Sequence, residues 1–266
     1  YVEVVRNIPL LLQILFWYGV FQQLPSLRQS VNFGDAIFIN LRGIYLPRPI
    51  FESGAEWILA ALIVGILATI GMTKWAHRRQ DLTGQQFPLF QASVALIVGL
   101  PVLAALVTGL PVSFDYPELK GFNFRGGMVI LPELMALALA LTVYTAAFIA
   151  EAVRAGIQAV SRGQTEASYS LGLRPGPTLR LVVFPQALRV ILPPLTSQYL
   201  NLTKNSSLAP AIAYPDLVHI FAGTVLNQTG QAVECIVLTM AVYFTISLLI
   251  SAFMNWYNRR IALVER

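Results

Sequence analysis

Residues 235–258 carry no charged side chain, and neither do residues 7–27 or 82–114. Runs of this length constrain the fold more than any other feature. Roughly 20 apolar residues suffice to cross the hydrocarbon core of a bilayer. Every backbone N–H and C=O in hydrocarbon must be bonded within the protein, so a crossing segment is a helix or a strand of a closed barrel. No run shows the sustained alternation of a barrel strand, which leaves helices. Composition agrees, with 56% hydrophobic and 12% charged residues, about half the charged share of a soluble domain. A soluble enzyme, a disordered chain and a collagen-like chain are excluded.

The chain reads as an all-α polytopic membrane protein with about six spans: 7–27, 57–73, 89–110, 134–150, 190–203 and 235–258. The fifth is the weakest and contains Pro193 and Pro194. Tyr1 lies inside a helical segment with no basic region and short apolar stretch before it. It is therefore no signal peptide, and the true N-terminus is expected upstream.

The charges sort by side. Arg6, Lys74, Arg78, Arg79, Arg154, Arg162, Arg174, Arg180, Arg189, Arg259, Arg260 and Arg266 fall on one side. Arg28, Arg42, Arg48, Lys120 and Arg125 fall on the other, among Asp35, Glu52, Glu56, Asp115, Glu118 and Asp216. Basic loops face the cytoplasm, so the loop after span four and the C-terminus are expected inside. The net charge of +5 thus reports membrane topology and not a nucleic-acid face. Trp57, Trp75 and Trp256 sit near span ends, as interfacial tryptophans do.

Residues 25–54 and 110–128 are rich in proline, glycine and aromatics and read as ordered extracytoplasmic loops, the second assigned to 111–128. One cysteine and two distant histidines, His77 and His219, make neither a disulfide framework nor a local metal motif. With no fixed-period repeat and no second soluble domain, residues 1–266 read as a single transmembrane domain.

The most informative segment follows span four: EAVRAGIQAVSRGQTEASYSLGLRPGPTLRLVVFPQALRVILPPL. Residues 151–160 continue the helix, and a break is expected at 161–163. Residues 164–171 form a short polar helix closed by Gly172 in a left-handed cap. Pro175 and Pro177 stop its continuation. Such a helix is too short to be stable alone and too polar for the bilayer, so it needs a partner surface.

Glu166, Ala167, Ser168, Gly172, Val182, Phe184 and Pro185 resemble the EAA motif of permease subunits in binding-protein-dependent ABC importers. Ser168 stands in for the second alanine and Phe184 for leucine. YVEVVRNIPLLLQILFWYG, GQTEASYSLGL, FPQALRVILPPL and LTKNSSLA are similar to the polar-amino-acid permeases of the histidine/glutamate/glutamine group. The closing MNWYNRR and the extra hairpin of spans two and three are similar to the general L-amino-acid branch.

The resemblance implies a type I ABC importer transmembrane domain in the bacterial inner membrane, with a cytoplasmic coupling loop at 161–186. It implies ABC ATPase subunits, a second homologous permease chain and an extracytoplasmic amino-acid-binding protein as partners. No phosphate loop occurs in the chain, so ATP and Mg would be bound by the ATPases, and the chain itself holds no cofactor and is no enzyme. Glu166, Ala167, Tyr169, Gly172 and Pro185 are the expected coupling residues. Tyr169 is the aromatic anchor, Pro185 fixes the return toward span five, and Glu166 caps its own helix or pairs with a partner base. Asn205, Ser206 and Ser207 follow span five at an expected helix break before Pro210. Broken helices offer backbone groups to polar solutes, so these three are candidates to line a substrate path. A secondary transporter or channel would need paired intramembrane charges or inverted repeats, and an intramembrane protease a Ser–His pair or H-E-x-x-H. The sequence has none of these.

Overall fold

The computed structural model describes residues 1–261, so Arg266 lies outside them. The helices are α1 (Val2–Asn7), α2 (Leu10–Phe21), α3 (Ala55–Thr83), α4 (Leu89–Val94), α5 (Leu100–Val107), α6 (Pro132–Gln158), α7 (Arg162–Ser170), α8 (Pro175–Thr178), α9 (Phe184–Asn205), α10 (Leu226–Thr229) and α11 (Ala232–Ile261). The strands are β1 (Val31–Phe33), β2 (Ile37–Asn40), β3 (Gly43–Leu46), β4 (Arg48–Phe51), β5 (Val112–Asp115), β6 (Glu118–Lys120), β7 (Asn123–Arg125) and β8 (Met128–Ile130). Two compact units emerge: residues 1–29, 39–44 and from Ile130 onward in one, and 30–38 with 45–129 in the other.

Among the described residues five helical runs are long and apolar enough to span a membrane: Ala55–Thr83, Leu89–Val107, Pro132–Gln158, Pro175–Ile212 and Ala232–Arg260. The expected first span is instead reduced to the 12-residue α2, split from α1 ahead of it. Pro9 causes the split, because it has no N–H to donate and disfavours the helical conformation of the residue before it. Ile8 is accordingly extended, at φ −96° and ψ 126°. The buried Gln13 amide donates to Val5 O at 2.9 Å and Ile8 O at 3.0 Å, supplying carbonyls that the broken helix leaves bare.

In the first unit α6 packs against α2 and α9, and α9 also packs against α11. The core joins Leu10, Ile14, Ala136, Leu137, Ala140, Leu141, Ala209 and Ile212. Hydrophobicity alone does not draw helices together in lipid, so close approach depends on small residues. Ala136, Ala140 and Ala147 are wholly buried. At Gly156 a Cβ would stand 2.3 Å from Ile191 Cγ1 and 3.2 Å from Ala187 O, so only glycine admits α9 at this distance.

The fifth span starts earlier than the sequence suggests. Pro175 opens α8 at its first turn, where no N–H is needed. The helix then runs through a π-turn at Leu179–Val183, α9 and a 3-10 turn at Ser206–Ile212. Pro185 therefore lies inside a helix and not at a return of the chain. The π-turn precedes it because the proline ring crowds the carbonyl four residues back. Pro101 sits in the same relation to the π-turn Ala95–Gly99 between α4 and α5.

In the second unit the expected loops contain strands, so the chain is mostly and not wholly helical. β4 pairs antiparallel with β5, Arg48 opposite Asp115 and Phe51 opposite Val112. β6 pairs with β7, Glu118 opposite Arg125. Phe124 packs against Phe38 and Tyr45 at ring distances of 4.8 and 4.5 Å. Asp115 Oδ2 accepts the Gly127 N–H at 3.0 Å. Within β6, the Lys120 ammonium 2.9 Å from Glu118 holds that carboxyl below its ordinary range.

Candidate functional site

Ser161 is the N-cap of α7, but its side chain makes no capping bond. The helix ends on a defined stop. Gly172 has φ +78°, its N–H donates to Tyr169 O at 2.9 Å, and the Leu173 N–H donates to Ser168 O at 3.1 Å. This pair of bonds is a Schellman motif, whose left-handed residue is favourable only as glycine or asparagine. A Cβ at Gly172 would meet nothing within 4 Å, so its requirement is conformational, not steric.

One face of α7 is held by the rest of the chain. Ser168 is 3% exposed and Thr178 2%. The Ser168 hydroxyl donates to Thr165 O at 2.7 Å and lies 3.2 Å from Thr178 Oγ1. The Gln186 amide donates to Gln164 Oε1 at 3.2 Å and to Val182 O at 3.0 Å. These bonds tie α7 to the Pro175–Ile212 run. The serine at the family's alanine position is thus a hydrogen-bonding group, a role that became visible only once Thr178 was placed beside it.

The other face is bare. Glu166 and Ala167 are exposed, Tyr169 is 48% exposed and Leu171 is 82% exposed. Glu166 lies beyond the first turn, which carries no acidic residue, so the expected local cap is not made. Tyr169 also borders a hollow of about 320 Å³ with Val160, Thr165, Pro175 and Val183. Pro185 is exposed on α9. Leu171 was not singled out by its sequence context, since one leucine in a polar loop carries no periodic signal.

Asn205, Ser206 and Ser207 lie where α9 tightens into the 3-10 turn. The helix is not broken there and ends only at Ala213, which has φ +58°. Ser206 Oγ donates to Thr203 O at 2.8 Å and Ser207 Oγ to Lys204 O at 2.6 Å. Asp216 and Tyr243, not picked out in the sequence, complete the surroundings. Asp216 Oδ1 accepts the His219 N–H at 2.7 Å, and the Tyr243 hydroxyl reaches Asp216 Oδ2 at 3.5 Å, close to Ser206. Among the described residues no group of three or more His, Cys, Asp or Glu could hold a metal ion.

Comparison with known proteins follows the same lines. The family described as the binding-protein-dependent transport system inner membrane component matches residues 87–263. A putative amino-acid ABC transporter permease protein of Escherichia coli, YhdX, is 57% identical over 267 residues, covering 100% of this chain and 68% of that protein. The general L-amino acid transport system permease protein AapQ of Rhizobium johnstonii is 54% identical over 267 residues, covering 100% and 66%. The glutamate/glutamine/aspartate/asparagine transport system permease protein BztB of Rhodobacter capsulatus is 46% identical over 298 residues, covering 100% and 70%. The chain spans about two thirds of the length of these relatives. With its spanning helices and the capped polar helix between α6 and α8, this chain belongs to the family of binding-protein-dependent transport system inner membrane components, as a multi-pass inner-membrane permease.

Proposed function

We propose that the chain is the permease subunit of an ATP-driven amino-acid importer of the type I ABC class and that α7 is the element its ATPase grips. The observation that carries this reading is the two-sidedness of α7. One face is hydrogen-bonded to the Pro175–Ile212 run through Ser168–Thr178 and Gln164–Gln186. The other presents Glu166, Ala167, half-exposed Tyr169 and the 82% exposed Leu171. An apolar side chain that exposed beside a polar helix suits a partner pocket. Movement of α7 would pass along the hydrogen bonds into the helix that bears Asn205, Ser206 and Ser207, a rigid-body shift of the kind that switches membrane transporters.

In this reading Glu166, Ala167, Tyr169 and Leu171 contact the ATPase, Gly172 sets the end of the lever, and Pro185 shapes the helix above it. Asn205, Ser206 and Ser207 line the path. ATP and Mg are bound by the ATPase subunits. A second homologous permease chain completes the pore, and the β-structured 111–128 region with β4 receives an extracytoplasmic amino-acid-binding protein. The names of the relatives support amino acids as cargo.

The test is purification in mild detergent with the ATPase, followed by uptake of radiolabelled amino acids into proteoliposomes. Leu171→Asp is expected to release the ATPase while leaving the permease inserted. Uptake that persists without ATP hydrolysis would overturn the reading.

A further inference from the structure

The hairpin of α3 with the Leu89–Val107 run has a chemically lopsided pair of ends. Its two arms touch tightly at Gly65, where a Cβ would stand 2.5 Å from Leu96 O. Elsewhere its surface is apolar and bare, including Leu59, Ile63, Leu67 and Val102. Trp57 and Trp75 bracket this band. Eighteen residues of α-helix separate them, about 27 Å at 1.5 Å per residue, close to the ~30 Å of a hydrocarbon core. Each tryptophan is at least half exposed, as an interfacial ring is.

At the Trp57 end the neighbours are Glu52 and Glu56. At the Trp75 end they are Lys74, His77, Arg78 and Arg79. Lys74, His77 and Arg78 are spaced by three and four and so share one helix face, and all three are exposed. The ion pairs found among the described residues involve none of them. Asp81 follows one turn later and leaves the cluster net positive. Arg79 is fixed differently. Its guanidinium lies 5.4 Å from the Trp75 ring centroid and donates to Gln85 Oε1 at 3.0 Å. Trp75 in turn meets Phe87 edge-on at 5.6 Å. The aromatic level of this end is therefore braced, with unneutralised cations at the same height.

We propose that the Lys74–Arg79 end of this hairpin binds the headgroup of an anionic phospholipid, with Lys74 and Arg78 as the phosphate-contacting cations and Trp75 marking the headgroup plane. The occupant follows from charge and depth together: the cations lie where a bilayer places its phosphates, and the apolar flank below them faces acyl chains. Attraction of basic juxtamembrane side chains to anionic lipid has this physical basis. The inference rests on membrane embedding and not on the importer reading.

The test uses the full chain in nanodiscs. Quenching of Trp75 is read as the difference between the wild type and Trp75→Phe, with brominated phosphatidylglycerol or brominated phosphatidylcholine at equal mole fraction. Phosphatidylglycerol is expected to quench preferentially. Lys74→Gln and Arg78→Gln should each lower that preference by about fivefold, and Lys74→Arg and Arg78→Lys should retain it. Raising the salt concentration should weaken it. Equal quenching by the two lipids in the wild type would overturn the proposal, even if the variants fail to insert. Displacement of the lipid by soluble glycerol phosphate would overturn the lipid as the source of the phosphate.

Discussion

α6 and the 55–107 hairpin are made of similar material and used in opposite ways. α3 and the Leu89–Val107 run are at least as apolar as α6, yet 33% of the most apolar window of α6 is buried against 6% and 0% for the hairpin arms. Hydrophobicity buys entry into the bilayer but does not select a protein neighbour there, because lipid is as apolar as leucine. What separates the two regions is the placement of small residues. α6 offers Ala136, Ala140, Ala147 and Gly156 along its packed side. The hairpin offers fewer, Gly65 against Leu96 and the buried Ala76.

The comparison breaks most sharply at Gly156. Gly156→Leu should force α6 and α9 apart at Ile191 and cost about 1–3 kcal/mol by overpacking. Thermal unfolding in detergent should show a clear drop, and an unchanged midpoint would mean that the α6–α9 seam is not tight. Gly65→Leu meets a backbone carbonyl, but its surroundings are lipid and can yield. Hydrogen exchange should rise over 55–107 while the core around Ile14 and Ala140 keeps its protection. A global collapse would show that the hairpin supports more of the fold than its contacts suggest.

Smaller effects are expected at the polar helix. Gly172→Val places a branched side chain at φ +78°, a strain of about 1–2 kcal/mol. Transport per ATP hydrolysed should fall while insertion stays normal, and full coupling would remove α7 from the lever role. Ser168→Ala and Thr178→Val, alone and together, should reveal a coupling of about 1 kcal/mol. Strict additivity in that cycle would deny the hydrogen bond any part in stability. Leu67→Ala, facing outward on the hairpin, should change the melting midpoint least, within about 0.5 kcal/mol.

Much of this was legible without coordinates. Apolar runs located the spans, and the glycine after the 164–171 stretch marked a left-handed stop because few residues tolerate that conformation. The strands were not legible. β4 and β5 are four residues each and pair across an intervening membrane hairpin, so neither shows enough period to be read alone. The early start of the fifth span was hidden by Pro175 and Pro177, which read as stops, and by Pro185, which read as a return of the chain. A π-turn lets a helix pass Pro185, and a first turn needs no N–H at Pro175.

Chain chemistry alone determined that this protein must live in a bilayer, that its crossing segments must be helical, and that one polar stub must find a partner. Those outcomes follow from the cost of unbonded backbone in hydrocarbon, a local quantity that each segment carries with it. Only the tertiary structure decided which apolar helices meet each other and which meet lipid, that Ser168 bonds to Thr178, and that Gln13 covers the break at Pro9. Those choices depend on small residues and polar atoms brought together from distant parts of the chain, and no single segment records its partner.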